Sequence, residues 1–470
     1  SAQDLASLSR DTDAVVQEAV AKGQIPGAVL LVGHAGKVVF TKAYGSRSLV
    51  PTREPMTEDT IFDLASLTKV VATTPSVMKL FEQGRIRLDD PVTDYLPAFQ
   101  GGHSDITIRN LLTHFSGLRP DLDLKPEWSG YETGIEKALS DPPAGPPGVK
   151  FVYSDINFIL LGEIVHKLSG KTLDEFAAET VFEPLGMKET GFRPAASLRP
   201  RIAPTEIDPA TGKPLRGVVH DPTSRLMGGV AGHAGLFSTA ADLARYAQMM
   251  LDEGKAEGQQ LFSPLTIRKF TSPQTPPGQP ILRGLGWDID SPFSSNRGEL
   301  FPIGSYGHTG FTGTDLWIDP ASQSYLILLT NAVHPRGGKS IKSLRARLAT
   351  IVAATYGYSR PGVILTGYDD FSAGERRTVA RNGRPSRARC ARPTLGHQLR
   401  GVEAVGGVVE IEITGIARAG EEVLDLFADR AVVRDEIERK RDGVVHEPFA
   451  DKNLRGRDRI DVPVAHGATF

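Results

Sequence analysis

Ser66-Leu67-Thr68-Lys69 sets a serine and a lysine three residues apart, inside the stretch Thr60–Val71. On a helix the two share one face, one turn apart. A serine hydroxyl is a poor nucleophile until a neighbouring base takes its proton, and an unprotonated lysine amine can be that base. A helix starting near Ser66 also turns free N–H groups and its dipole toward negative charge developing there. One turn can therefore supply a nucleophile, a base and part of an oxyanion site. A second copy of the spacing, Ser76-Val77-Met78-Lys79, falls mid-helix. Val70, Val71, Thr74, Val77, Met78 and Phe81 are spaced there as a buried face, so this copy reads as a core helix with a solvated lysine near its end. The equally plain reading of Ser66 is an N-capping serine followed by a surface lysine. Partners elsewhere in the chain must decide.

Tyr153 is the first such partner, in Phe151-Val-Tyr-Ser-Asp-Ile-Asn-Phe158. It follows a Pro/Gly loop and opens an apolar helical run, where a side chain can face a cleft. Its phenol ordinarily titrates near 10, but cationic neighbours favour the phenolate and make it a proton carrier. His308-Thr309-Gly310 ends a strand-like run and continues as Phe311-Thr312-Gly313. Glycine at a strand end lets a substrate backbone approach closely. The N–H of Phe311 can then join that of Ser66 as an oxyanion hole. Taken singly, these two motifs are also an amphipathic tyrosine at a helix start and a hairpin turn with an exposed histidine.

The elements that must hold these residues follow from the pattern. Residues 9–22 read as an amphipathic helix, followed by two β runs, Gly27–Gly33 and Lys37–Tyr44, joined through His34-Ala35-Gly36 as a hairpin. From about 60 to 185 the pattern is mostly helical, over 66–83, 107–115, 131–139, 155–168 and 172–181. Asp141–Gly148, with four prolines, can be neither helix nor central strand. Strands return over Phe301–His308, Thr314–Asp319 and Ser324–Asn331, and a helix follows over 341–355. Strands at both ends with helices between them give an α+β domain over 1–357: an antiparallel β-sheet flanked by helices, interrupted by a large all-helical insertion.

Beyond residue 360 the composition changes. Eight arginines fall between Arg376 and Arg400 with no lysine and no acid. Residues 361–470 read as a C-terminal appendage of unassigned role, with a hairpin over 402–417 and a charged helix over 421–439. No aromatic interleaving supports nucleic acid as its partner. Across the whole chain of 470 residues, 40% hydrophobic content and a formal charge of −2 describe an ordinary globular protein. They give no global field for nucleic acid or an anionic membrane. No apolar run approaches the roughly 20 residues that span a bilayer. The lone Cys390 excludes an internal disulfide and a cysteine-rich metal site. His233, among small residues and with no second ligand at metal spacing, reads as a structural or cleft-wall residue. The first residue is Ser1. Removal of a signal peptide would explain that and place the protein in the periplasm or outside the cell, and the cytoplasm is the other option.

In their order, Ser66-x-x-Lys69, Tyr153-x-Asp155 and His308-Thr309-Gly310 resemble the serine β-lactamase and penicillin-binding-protein superfamily. The branch they are most similar to holds class C β-lactamases, D,D-peptidases and family VIII carboxylesterases. The resemblance spans roughly 10–357 and includes Pro26-Gly27-Ala28, Leu88-Asp-Asp-Pro-Val92, Ile108–Leu118, Glu183–Met187, Gly284-Leu-Gly-Trp287 and Leu329-Thr-Asn331. It also includes His220-Asp221-Pro222 leading to Gly228–Ser238. It implies Ser66 as the acylated nucleophile, Lys69 as its immediate partner and Tyr153 as the proton shuttle. Ser66 and Phe311 would supply the oxyanion N–H groups, and Asp155, His308, Thr309 and Gly310 would line the substrate site, with no cofactor and no metal.

Two departures shape the expected chemistry. The middle motif commonly ends in asparagine, and here Asp155 stands there. A carboxylate near Lys69 favours the ammonium and leaves more of the base role to Tyr153. Asn157 does not share a helix face with Asp155 and is not expected to replace it. Where β-lactamases usually carry lysine, this chain carries His308, which is largely neutral at pH 7 and holds a carboxylate weakly. The expected function is a serine hydrolase on small esters, with β-lactam hydrolysis as a side activity. Its near rivals are a D,D-carboxypeptidase or D-amino-acid peptidase and a β-lactamase. A penicillin-recognising sensor that acylates without turnover is the rival of another class. The expected partner is thus a small ester, β-lactam or D-Ala-type molecule; the pattern leaves the oligomeric state open.

Overall fold

Two apolar runs nearly 300 residues apart, Gly27–His34 and Ser324–Thr330, lie side by side as paired strands. The computed structural model describes residues 2–99, 105–357 and 365, with two further strands within 399–413. In chain order the strands are β1 (Gly27–His34), β2 (Lys37–Ser48), β3 (Glu54–Pro55), β4 (Phe62–Asp63), β5 (Gly191–Phe192), β6 (Leu236–Ser238), β7 (Lys255–Ala256) and β8 (Gln259–Gln260). They continue with β9 (Leu282–Arg283), β10 (Asp288–Asp290), β11 (Tyr306–Thr309), β12 (Asp315–Asp319) and β13 (Ser324–Thr330). Eight of them form one antiparallel sheet in the order β3-β2-β1-β13-β12-β11-β10-β9. The sheet is thus assembled from both ends of the domain.

Its flanking and intervening helices are α1 (Ala2–Ala21), α2 (Thr74–Glu82), α3 (Ile108–Thr113), α4 (Tyr131–Ser140), α5 (Asp155–Ser169), α6 (Leu173–Ala177), α7 (Pro222–Leu226), α8 (Ala240–Leu251), α9 (Pro264–Thr271) and α10 (Lys342–Tyr356). Strand β1 reads as an unbroken apolar run because both of its faces are covered. Ala28, Leu30 and Val32 pack with Val16 of α1 and Leu348 and Val352 of α10. Val29 and Leu31 belong to the larger core on the other face, with Leu67, Leu243 and Tyr246. The β1–β2 connection turns through Ala35 and Gly36, both at positive φ (50° and 78°), the signature of a tight hairpin turn.

Three local expectations change. The strand expected from Phe301 begins only at Tyr306, because Pro302 offers no N–H and Gly304 sits at φ 111°. The helix expected over 172–181 is α6 followed by a π turn, Ala178–Phe182. Lys79 is not solvated: it is part-buried, donates to the Leu261 carbonyl and lies 4.4 Å from the Phe262 ring centroid. Ser76 is buried and its hydroxyl donates back to the Ala72 carbonyl at 2.7 Å, so the second Ser-x-x-Lys is structural.

The chain divides into two compact units, 1–375 and 376–470. Within the second, β14 (Leu399–Val405) and β15 (Val408–Ile413) pair antiparallel, close to the expected hairpin. Cys390 and the helix expected over 421–439 lie outside the described residues. Among the described residues no helix is long and apolar enough to cross a membrane.

Candidate active site

The site is built outward from a short turn after β4. The buried carboxylate of Asp63 accepts the N–H of Ala65 at 2.9 Å and that of His220 at 2.7 Å. A side chain bonding its own backbone two residues on is an Asx turn. It holds Ala65 at φ 46°, a left-handed conformation that non-glycine residues avoid. Ser66 follows directly, with the helical run starting at Leu67. That run opens with a π turn, Lys69–Thr73, ahead of α2. In that wide turn the Thr74 N–H bonds the Lys69 carbonyl five residues back, and since Pro75 has no N–H to offer, the Val70 carbonyl accepts the Tyr246 hydroxyl of α8 at 2.6 Å.

Lys69 is fully buried. Its Nζ donates to Ser66 Oγ at 2.9 Å and to the His233 carbonyl at 3.1 Å, and pairs with Asp155 Oδ1 at 2.6 Å. Burial pulls its pKa down, but Asp155 and then Tyr153 outweigh burial and raise it above the ordinary lysine value. Lys69 therefore rests as the ammonium and donates to Ser66.

Tyr153 lies 5.0 Å, ring centroid to Nζ, from Lys69. Its ring stacks on His114 at 4.4 Å and leans against Phe293 at 5.2 Å. The loop that leads to it is tied down: Ala144 and Gly148 donate to the carbonyls of Gly117 and Phe115, and Val152 to that of His114. His114 Nδ1 accepts the Ser154 N–H at 3.0 Å, while burial, Arg283 and Lys69 hold its pKa well below the usual histidine range. Asp155 opens α5, its N–H bonded to the Pro120 carbonyl at 2.7 Å. Asn157 belongs to another network, contacting His114 Nδ1 at 3.2 Å and accepting from Ser116 at 2.6 Å.

The third side is the β11–β12 turn. The Thr312 hydroxyl donates to the Asp63 carbonyl at 2.7 Å and the Thr314 hydroxyl to that of Leu64 at 2.9 Å. From behind, Arg345 of α10 donates to the carbonyls of Gly310 at 3.0 Å and Thr314 at 2.9 Å. Gly310 was expected to admit a substrate backbone. Its actual neighbour is the protein itself, since a Cβ there would lie 2.3 Å from the Leu64 carbonyl oxygen. The turn is thus fixed to the two residues that precede the Ala65-Ser66 elbow. Among the described residues no hydrogen bond engages the N–H of Ser66 or of Phe311. The Phe311 ring is 77% exposed and stacks on His220 at 5.7 Å.

His308 is buried, not exposed as in a plain hairpin turn. Its Nδ1 meets the Thr309 carbonyl at 2.8 Å. A carbonyl only accepts, so Nδ1 carries the proton and Nε2 is an acceptor. Burial, with Arg283 and Lys69 nearby, keeps its pKa well below the usual range. This position therefore presents a neutral acceptor, where the sequence led us to expect a donor to a carboxylate.

The sequence profile described as Beta-lactamase matches residues 12–350, most of the chain. The chain belongs to the beta-lactamase family. Among curated proteins it is 32% identical over 352 residues to the "Putative D-alanyl-D-alanine carboxypeptidase" of Escherichia coli (strain K12), covering 66% of this chain and 79% of that one. Among solved structures it is similar in fold to EstCE1, described as a hydrolase with promiscuous acyltransferase activity. There the TM-score is 0.60 at 23% identity, covering 75% of this chain and 100% of the other. It is also similar to a class C beta-lactamase from Rhodobacter sphaeroides, with TM-score 0.59 at 21% identity over 73% of this chain and 98% of that one.

In this beta-lactamase-family serine hydrolase, Ser66, Lys69, Tyr153 and Asp155 converge through direct contacts. His308 joins them through its ring, 6.0 Å from that of Tyr153, and Phe311 through the tethered turn. Thr309 is half-buried, and its carbonyl fixes the His308 tautomer. Sequence reasoning missed Asp63, Thr312 and Thr314, and it read His233 as structural or cleft-wall without its partner Asp221, whose carboxylate lies 2.9 Å from the ring nitrogen. A signal existed for the pair: Asp221 and His233 fall in the two stretches, His220-Asp221-Pro222 and Gly228–Ser238, that helped carry the resemblance.

Proposed function

We propose that the enzyme is a carboxylesterase for small uncharged esters, working through an acyl-serine. Ser66 Oγ attacks the ester carbonyl carbon while Tyr153, as phenolate, takes its proton. Lys69, held as the ammonium, orients Oγ, and the N–H groups of Ser66 and Phe311 receive the oxyanion. Collapse expels the alkoxide, which Tyr153 protonates. Tyr153 then takes a proton from water, the hydroxide attacks the acyl-serine, and the acid leaves as Ser66 regains its proton.

The observation that supports uncharged esters is His308. A neutral ring whose one N–H is spent on Thr309 offers a substrate carboxylate neither charge nor donor. A second reading, D,D-carboxypeptidase, is favoured by the name of the E. coli relative. β-Lactam hydrolysis is the expected side activity. The test compares kcat/KM for short p-nitrophenyl esters, a chromogenic cephalosporin and a D-Ala-D-Ala peptide, in the wild type and in His308→Lys. Esters should lead in the wild type, and the lysine should shift the ratio toward the carboxylate-bearing substrates. A wild type that prefers the cephalosporin or the peptide over every ester refutes the ester assignment. Lasting labelling by a fluorescent penicillin without turnover would instead mark a sensor.

A further inference from the structure

The segment Gly232–Ala234 runs behind Lys69, and its three successive carbonyls are each held by a side chain. Gly232 accepts from the Thr73 hydroxyl at 2.6 Å, His233 from Lys69 at 3.1 Å, and Ala234 from the Ser224 hydroxyl at 2.8 Å. Gly232 is pressed onto α5, where a Cβ would lie 1.9 Å from the Phe158 carbonyl oxygen. The His233 ring, also fully buried, meets Asp221 Oδ1 through Nε2 at 2.9 Å. Asp221 in turn caps α7 by accepting the Ser224 N–H at 2.7 Å. This pair lies directly behind an already paired lysine. Desolvating such a pair is costly, and the hydrolytic steps above do not use it.

We propose that His233 and Asp221 form a positioning dyad: Asp221 fixes the His233 ring, and with it the carbonyl that takes one N–H of Lys69, and the imidazolium balances the carboxylates around that lysine. The charged groups acting on His233 come from three other elements: Asp221 at the cap of α7, Asp155 at the head of α5 and Lys69 on the π turn. Asp121, on the loop after α3, faces His233, Asp155 and Asp221, and burial pushes its pKa up to about 6. Asp63 of β4 feels Asp221 and His220. Burial disfavours the imidazolium, but Asp221 overcomes it and His233 titrates above its usual range. Two cations, Lys69 and His233, then stand against Asp155, Asp221 and Asp121. Removing the imidazolium leaves Asp221 uncompensated, and the added negative charge opposes loss of a proton from the base that serves Ser66.

The dyad rests on Tyr153 acting as the base, and its test separates the two claims. Three variants are compared with whichever substrate the wild type turns over: His233→Gln, which keeps a donor but no charge, Asp221→Asn, and the double substitution. His233→Gln should lose about 10–100-fold in kcat with KM nearly unchanged, and the acid limb of kcat/KM should rise by about one pH unit. Asp221→Asn removes both charges together, because the ring then rests neutral, and should move the limb less. The double variant should return the limb close to the wild-type position. Losses that add in the double variant, or unchanged pH profiles with only a lower Tm, overturn the dyad. Should a variant fail to fold, 15N-histidine spectra of the wild type decide. One ring should hold its proton above the ordinary histidine range, and a His233 ring that deprotonates at or below that range would overturn the proposal. Near-normal kcat in Tyr153→Phe would instead remove the base assignment itself.

Discussion

Replacing Asp155 by asparagine should change which group takes the Ser66 proton. The substitution keeps the side-chain shape and an acceptor oxygen while deleting the charge 2.6 Å from Lys69 Nζ. In the wild type that charge, supported by Tyr153, outweighs the burial that disfavours the ammonium. An opposite charge this close moves a pKa by about 1–3, which is about 1.4–4 kcal/mol between the two protonation states. Without it, burial of a fully enclosed lysine is opposed mainly by Tyr153, the ammonium is weakened, and the amine can more readily take a proton in alkaline solution. Tyr153→Phe deletes the phenol and should cost about 10²–10⁴ in rate in the wild-type background, the usual range for general acid–base catalysis. In the Asp155→Asn background the same change should cost at least about tenfold less above pH 8, because Lys69 now shares the work. The assay is the pH dependence of kcat/KM for a short p-nitrophenyl ester across the four members of the cycle. Equal penalties for Tyr153→Phe in both backgrounds, or an unmoved pH profile in Asp155→Asn, would refute the division of roles between tyrosine and lysine.

Ser66→Ala should abolish ester turnover and covalent labelling by a reactive phosphonate. Ser76→Ala, which loses only a bond to the Ala72 carbonyl, should leave both within a few fold, as read by intact mass and rate. Asp121→Asn should stabilise the enzyme in neutral solution. Burial lifts the Asp121 pKa to about 6 from 3.8, so the folded state holds this proton more tightly than the unfolded one. The stability this contributes is full in acid and lost as pH rises through that range, reaching up to about 3 kcal/mol by pH 7. Chemical denaturation should therefore show a gain of about 1–3 kcal/mol at pH 7.5 and almost none at pH 4; equal gains at both pH values would contradict this.

Much of the frame was legible because its signals are local. The run at β1 is apolar from Gly27 to Gly33 since α1 and α10 cover one face and the helical core the other. Ala35-Gly36 marks its own turn, and Ser66 and Lys69 meet because three residues make nearly one helical turn. What stayed hidden depends on contacts between distant segments. Ala65 adopts φ 46° with no glycine to announce it, since Asp63 imposes the turn through its side chain. The Val70 carbonyl left over by the π turn is satisfied by Tyr246, which lies on another helix. The donor and acceptor ends of His308 are exchanged by one carbonyl, and no spacing encodes the direction in which Thr309 points it.

The pairing of β1 with β13 also sets when the enzyme can first act. Thr330 bonds back to Gly27 across 303 positions of the chain. At a synthesis rate of about 5–20 residues per second, the first strand waits roughly 15–60 s on the ribosome for its neighbour. The tethered turn at 310–314, with the Phe311 N–H, emerges only just before that neighbour. A nascent chain thus carries Ser66 and Lys69 long before it carries Phe311, so on the proposed roles the nucleophile is made early and its second oxyanion donor late. Stalled or truncated products that end before residue 306 should be catalytically silent, and folding of the finished domain should be slow, as closure across so long a separation demands.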